Sequence, residues 1–179
     1  MLILVRHAMP AFGPDVPAHE WELSEDGRTA AAVLARLLPA GARLVGSNEP
    51  KAWQTLEPAG SVDDRDARFN EVFRVGEPWE GEFRELRHAY VTGFDHDGWE
   101  PRADVARRFD AGVTEQLAVA GEVPLVVASH GMAMTVWLTA RIGLADPGEF
   151  WAGLCFPDAH QVDLRAGTIR RLAGTGAAG

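Results

Sequence analysis

Apolar and polar positions divide the 179 residues into short apolar runs, amphipathic stretches and polar joints. Residues 2–5 read Leu-Ile-Leu-Val and residues 125–128 read Leu-Val-Val-Ala, neither with polar alternation. Such short, β-rich runs predict strands covered on both faces of a parallel sheet. Behind Ser24, a capping residue, Glu25 and Asp26 occupy a first turn where the helix dipole favours anions. Ala30, Val33, Leu34, Leu37 and Leu38 then recur at helical spacing until Pro39 and Gly41. Arg43 to Val45 predicts a short strand, Gly46 to Pro50 a turn, and Pro50 the start of a helix through Lys51, Gln54 and Leu56. A helix over 102–119 carries Val105, Phe109, Val113 and Leu117 on one stripe. The almost wholly apolar segment Met132–Ile142 predicts a buried helix. His160–Leu164 and Thr168–Leu172 predict a closing hairpin around Ala166-Gly167.

Strands alternating with helices indicate an α/β protein, a three-layer sandwich with a mostly parallel central sheet and helices on both faces. The length suits one domain over 1–179. Met9 to Glu22, rich in Pro and Gly, reads as a loop crossing the top of the sheet. Residues 59–100 mix Asp, Glu, Arg and Gly with Trp79, Phe83, Tyr90, Phe94 and Trp99. They read as an irregular, cap-like insertion packed over the sheet edge. Residues 173–179 are expected to be a frayed tail. Gly174 to Gly179 has the letters of a dinucleotide fingerprint, but no helix follows to supply amides for a pyrophosphate.

Lys plus Arg (17) against Asp plus Glu (26) gives a net charge of −9 without any basic run. That balance argues against nucleic acid and anionic membranes as partners. The chain shows neither a signal-peptide pattern nor a long apolar span, and the lone Cys155 excludes an internal disulfide. Together these point to the cytoplasm, with Cys155 as a small apolar filler. Asp95-His96-Asp97 has metal-ligand residue types, yet adjacent side chains rarely converge on one ion, so a surface loop is expected. Six tryptophans allow an apolar contact surface, so a dimer is compatible with the composition while the oligomeric state stays open.

Each of the two apolar runs leads into a histidine, as Arg6-His7 and as Ser129-His130-Gly131. Residues leaving the carboxyl ends of parallel strands lie where open α/β sheets bind ligands. The two imidazoles can therefore share a pocket despite their distance in sequence. A neutral imidazole can attack phosphorus, and an arginine fork can clamp phosphoryl oxygens bidentately.

In order along the chain stand Arg6-His7-Ala8, Leu23-Ser24-Glu25-Asp26-Gly27, Ser47-Asn48-Glu49-Pro50-Lys51-Ala52-Trp53-Gln54-Thr55, Glu71 with Trp79-Glu80-Gly81, and Ser129-His130-Gly131. This series resembles the histidine phosphatase superfamily, also called phosphoglycerate mutase-like. The resemblance implies that His7 becomes phosphorylated, that His130 donates a hydrogen bond to the transferring group, and that Arg6 clamps its oxygens. It places Lys51 at a second clamp and Glu71 as the general acid that later activates water. Ser129 and Gly131 flank His130 in the same motif and are assigned to phosphate binding. His19, in the crossing loop, is a further substrate-binding candidate. A carboxyl beside a phosphate dianion should have its pKa raised, which suits Glu71 as an acid near neutrality. The implied activity is hydrolysis of small phosphorylated substrates with no metal and no cofactor.

Five positions depart from the family pattern. Lys51 keeps the charge but loses the fork. Ala8 replaces a glycine, Met9-Pro10 a polar pair, and Gly13 falls where many members have asparagine. Each departure removes a phosphate contact or adds bulk. Glu77, Glu80 and Glu82 compete with Glu71 for the acid role and read as a solvated acidic loop. Arg84 and Arg87 read as a solvated face, with substrate recognition as the alternative. Two alternatives to a phosphatase therefore stand: a phosphoglycerate mutase-type phosphoryl transfer, and a weakly active or inactive relative that binds a phosphorylated ligand.

Overall fold

The computed structural model describes residues 1–77 and 81–172. Trp79 and Glu80 of the motif, and the Gly174–Gly179 tail, lie outside the described residues. The chain order is β1 (Leu2–Arg6), α1 (Glu25–Ala35), β2 (Arg43–Gly46), α2 (Pro50–Leu56), β3 (Asp64–Arg65), α3 (Phe83–Thr92), α4 (Arg102–Ala120), β4 (Leu125–Ser129), α5 (Gly131–Ile142), α6 (Pro147–Ala152), β5 (Asp158–Asp163) and β6 (Thr168–Arg171). The six strands form one sheet in the order β3-β2-β4-β1-β5-β6. The first four in that order run parallel, and β5 and β6 join antiparallel.

Period-two alternation in the central strands sends side chains to two separate cores. Leu2, Leu4, Val45, Leu125 and Val127 join Val105, Phe109 and Val113 of α4 and Met134, Trp137 and Leu138 of α5. Ile3, Val5, Leu44, Val126 and Ala128 pack instead with Leu34 of α1 and Ala52 and Leu56 of α2. Because both faces are covered, these strands can be apolar at every position. The three-layer α/β architecture is the expected one.

Several details differ from the sequence expectation. The insertion is not irregular: it holds β3, the ten-residue α3, and a 3-10 turn at Ala67–Phe69. Arg84, Glu85 and Arg87 dominate the composition of α3 and hide its narrow apolar stripe, of which Tyr90 and Val91 are buried. α6 was not foreseen, although Asp146 caps it by accepting from Glu149 N–H and Pro147 opens it. α1 buries Gly27, Ala31 and Leu34, whereas Val33 and Leu37 are exposed.

The rotation of α1 has a local cause at Gly27. A Cβ there would lie 2.1 Å from the Met9 carbonyl oxygen. That carbonyl accepts from both the backbone N–H and the hydroxyl of Ser24, while Ser24 Oγ caps α1 by accepting from Gly27 N–H at 3.0 Å. Bare backbone at residue 27 therefore lets the loop after β1 lie on the helix start. Gly27→Ala is expected to lower stability by about 2 kcal/mol or more, since the neighbour is rigid backbone. An unchanged denaturation midpoint would show that the loop yields instead.

Candidate active site

Three adjacent parallel strands deliver the first groups. β1 ends at Arg6, and His7 N–H extends the ladder by donating to the Ser129 carbonyl at 3.1 Å. β4 ends at Ser129 and hands the chain to His130, which caps α5. β2 ends at Gly46, and Ser47 N–H donates to the Ala128 carbonyl at 2.9 Å. His7, His130 and Ser47 therefore emerge side by side at one sheet edge. The two imidazole centroids are 5.1 Å apart, and Ser47 Oγ is hydrogen-bonded to His130 Nε2 at 2.8 Å.

His7 Nδ1 lies 2.7 Å from the Ala8 carbonyl oxygen. A carbonyl only accepts, so Nδ1 carries the ring proton and Nε2 keeps its lone pair. Ala8 N–H is held by Thr55 Oγ1 at 2.9 Å, which orients that carbonyl from α2. The Ala8 methyl group is spent in a small buried cluster with Leu23 and Ala31. Burial holds both His7 and His130 well below the ordinary histidine pKa. Neighbouring groups reinforce the shift: for His7 the adjacent His130 ring, since two such close imidazoles resist both taking a proton, and then Lys51, and for His130 chiefly Lys51. Both rings are neutral at neutral pH, the state a nucleophile requires.

Arg6 Nη1 donates to the Leu154 carbonyl at 2.7 Å, and its guanidinium carbon sits 3.5 Å from the centre of the Phe156 ring. Burial pulls its pKa down to about 10, which leaves it cationic. A Cβ on residue 131 would meet Arg6 Nε at 3.4 Å, an ordinary contact, so the guanidinium lies against the start of α5. Among the described residues, Arg6 Nε and His130 Nδ1 are buried polar atoms without a hydrogen-bond partner. Such atoms are costly to leave unpaired, and both belong to this cluster.

Glu71 arrives from the insertion. Its Oε1 accepts from Ala133 N–H and Val72 N–H, both at 3.0 Å, and its Oε2 accepts from Met132 N–H at 3.4 Å. The carboxylate thus lies on the first turn of α5, next to His130, where the helix dipole favours an anion. Lys51 arrives from α2 with its side chain buried, and Nζ donates to Glu49 Oε2 at 2.5 Å and to the Ala18 carbonyl at 2.6 Å.

The remaining candidates lie outside this convergence. Ser129 is buried, but its hydroxyl donates to the Phe69 carbonyl at 2.7 Å and ties the insertion to β4. His19 is exposed beside Glu20. Glu77 pairs with Arg74 and Arg87, so Arg87 and Glu77 form a linked cluster instead of a solvated face. His96 packs among Tyr90, Phe94 and Trp99 and lies 2.8 Å from the Leu86 carbonyl oxygen. Among the described residues no cluster of metal-ligand side chains forms, and no helix is long and apolar enough to cross a membrane.

Sequence reasoning missed Glu49, Ser47 and Phe156. Glu49 and Ser47 sit inside the quoted Ser47–Thr55 segment, where an acid flanking the lysine was the available signal. Phe156 had none: the antiparallel pairing that sets Asp158 opposite Arg6 brings the preceding loop over His7, with ring centroids 5.3 Å apart.

The family model of the histidine phosphatase superfamily (branch 1) matches residues 2–161. No curated protein matches the chain. Among solved structures, mycobacterial glucosyl-3-phosphoglycerate phosphatase with inorganic phosphate aligns at TM-score 0.71 and 21% identity, over 99% of this chain and 97% of that one. The same mycobacterial enzyme with VO3 aligns at TM-score 0.67 and 25% identity, over 89% and 92% of the two chains. YhfR of Bacillus stearothermophilus aligns at TM-score 0.68 and 19% identity, over 95% and 94%.

The lowered histidine pKa values have a measurable consequence. Below the ordinary value of 6.5 the unfolded chain binds protons that buried His7 and His130 refuse. Their contribution to stability is therefore full above that pH and lost as pH falls beneath it. Proton NMR of the ring resonances is expected to show both imidazoles uncharged at pH 6, and a midpoint at or above 6.5 for either would contradict the burial argument.

Proposed function

The chain belongs to branch 1 of the histidine phosphatase superfamily, and on that premise we propose that it hydrolyses phosphate monoesters through a phosphohistidine on His7. The observation that carries this reading is the fixed tautomer of His7. Its Nδ1–H is held by the Ala8 carbonyl, which leaves the lone pair on Nε2, and the neighbouring Arg6 and His130 carry two unpartnered buried polar atoms.

In the first step His7 Nε2 attacks phosphorus, and the bond from phosphorus to the ester oxygen breaks. Arg6 Nε and His130 Nδ1 are the atoms positioned to meet the equatorial oxygens. Charge-assisted contacts of this kind act most strongly where water is excluded, and both residues are buried. Protonation of the leaving oxygen falls to Glu71, whose carboxyl must loosen its hold on the α5 amides to donate. In the second step water attacks the phosphohistidine, Glu71 takes its proton, and inorganic phosphate leaves. The positive groups stabilise the transferring charge without requiring a metal ion. The substrate is a small phosphorylated molecule. Mycobacterial glucosyl-3-phosphoglycerate phosphatase, which shares the fold, supports a phosphate monoester of that kind.

The purified protein is expected to release phosphate from para-nitrophenyl phosphate at mildly acidic pH without added metal. His7→Ala should reduce kcat by at least about a thousandfold, as loss of a covalent nucleophile does. Glu71→Gln should reduce it by about a hundredfold, the usual worth of a positioned acid. Phosphate binding without turnover over a broad panel of monoesters would overturn the hydrolase reading.

A further inference from the structure

Lys51 does not face the histidine pair alone. Glu49 Oε2 accepts its ammonium, while Glu49 Oε1 accepts from Glu71 N–H at 2.7 Å and lies 3.5 Å from His130 Nε2. The Glu49 and Lys51 side chains are only 7% and 6% exposed. A buried carboxylate held by a lysine and a peptide N–H has the surroundings of a bound anion. Its backbone N–H is also fixed, donating to Ser47 Oγ at 3.1 Å.

We infer that Glu49 is an internal anion that occupies the Lys51 end of the phosphate site and selects for phosphoryl groups carrying a single negative charge over full dianions. This rests on the proposal that the cluster around His7 binds phosphate. At the site, Arg6 and Lys51 supply two positive charges, and Glu49 and Glu71 supply two negative ones. The two imidazoles add none. Of the farther cations, Arg108 is paired with Glu100, while Arg74 and Arg87 share Glu77 and leave one positive charge outside this inner group. A dianion therefore meets an inner group of side chains with no surplus positive charge, whereas a singly charged phosphoryl group meets half the repulsion from Glu49.

The test is calorimetric titration of inorganic phosphate at pH 8, where it is a dianion, into the parent protein, Glu49→Gln, Lys51→Met and the double variant. Counting charges, Glu49→Gln should bind phosphate about tenfold tighter than the parent. The double variant should match the parent, and Lys51→Met should bind most weakly. Dimethyl phosphate, singly charged at the same pH, should gain less from Glu49→Gln. If Glu49 only props Lys51 in place, Glu49→Gln will bind phosphate no better than the parent, and that result overturns the inference. Thermal unfolding checks each variant, and Glu49→Leu supplies the same comparison if Glu49→Gln fails to fold. The titration needs no turnover, so an inactive enzyme with the expected order of affinities would remove the hydrolase reading and leave this one standing.

Discussion

Hydrogen bonds between β1 and β4 set Leu2 opposite Leu125 and Arg6 opposite Ser129, and His7 N–H continues that ladder to the Ser129 carbonyl. Because side chains alternate between faces, a one-residue slip would exchange the two cores and turn Arg6 to the other side of the sheet. The apolar partners on the two faces make such a slip costly: Leu4 belongs with α4 and α5, and Val5 with α1 and α2. The same register brings His7 and His130 within contact. Ser129, having no free hydroxyl to offer, locks the strand end to Phe69 and thereby positions the segment that carries Glu71. The site is thus a consequence of sheet register before it is a matter of side-chain chemistry.

Burial at that edge determines how its charges behave. Desolvation keeps both histidines neutral and draws the Arg6 pKa to about 10 without removing its charge. The stacked Phe156 ring and the Leu154 carbonyl hold Arg6 in place, so its cost of burial is partly offset and its free Nε stays directed. Lys51 is balanced by Glu49 instead of being left open. Lys51 and the acid two positions before it therefore form one buried, paired unit.

The elements nearest the site were the most legible ones. β1, β4, α2 and α5 have one strong local determinant each: an unbroken apolar run, a proline at a first helical turn, or an apolar segment of helical length. The buried face of α1 differs from the sequence expectation because the contact that sets it, Met9 carbonyl on Gly27, joins separate parts of the chain. α3 was hidden by its own charged face. Its apolar stripe acquires meaning only against α5 and α6, which share its surface.

Residue order alone carried the two strand-to-histidine junctions, the α/β class and the sequence of motifs by which the family is recognised. These are local patterns, since periodicity, capping and turn chemistry act over a few residues. Only the tertiary structure decided what surrounds the histidines. Ser129 turned away to Phe69, Phe156 came over Arg6 from an antiparallel neighbour, and Glu49 closed on Lys51 and His130. Those outcomes depend on strand direction, register and burial, and each sums interactions between residues far apart in the chain. The charge of each residue could be read from the sequence, but the balance of charge around His7 exists only once the sheet has brought the strand ends together.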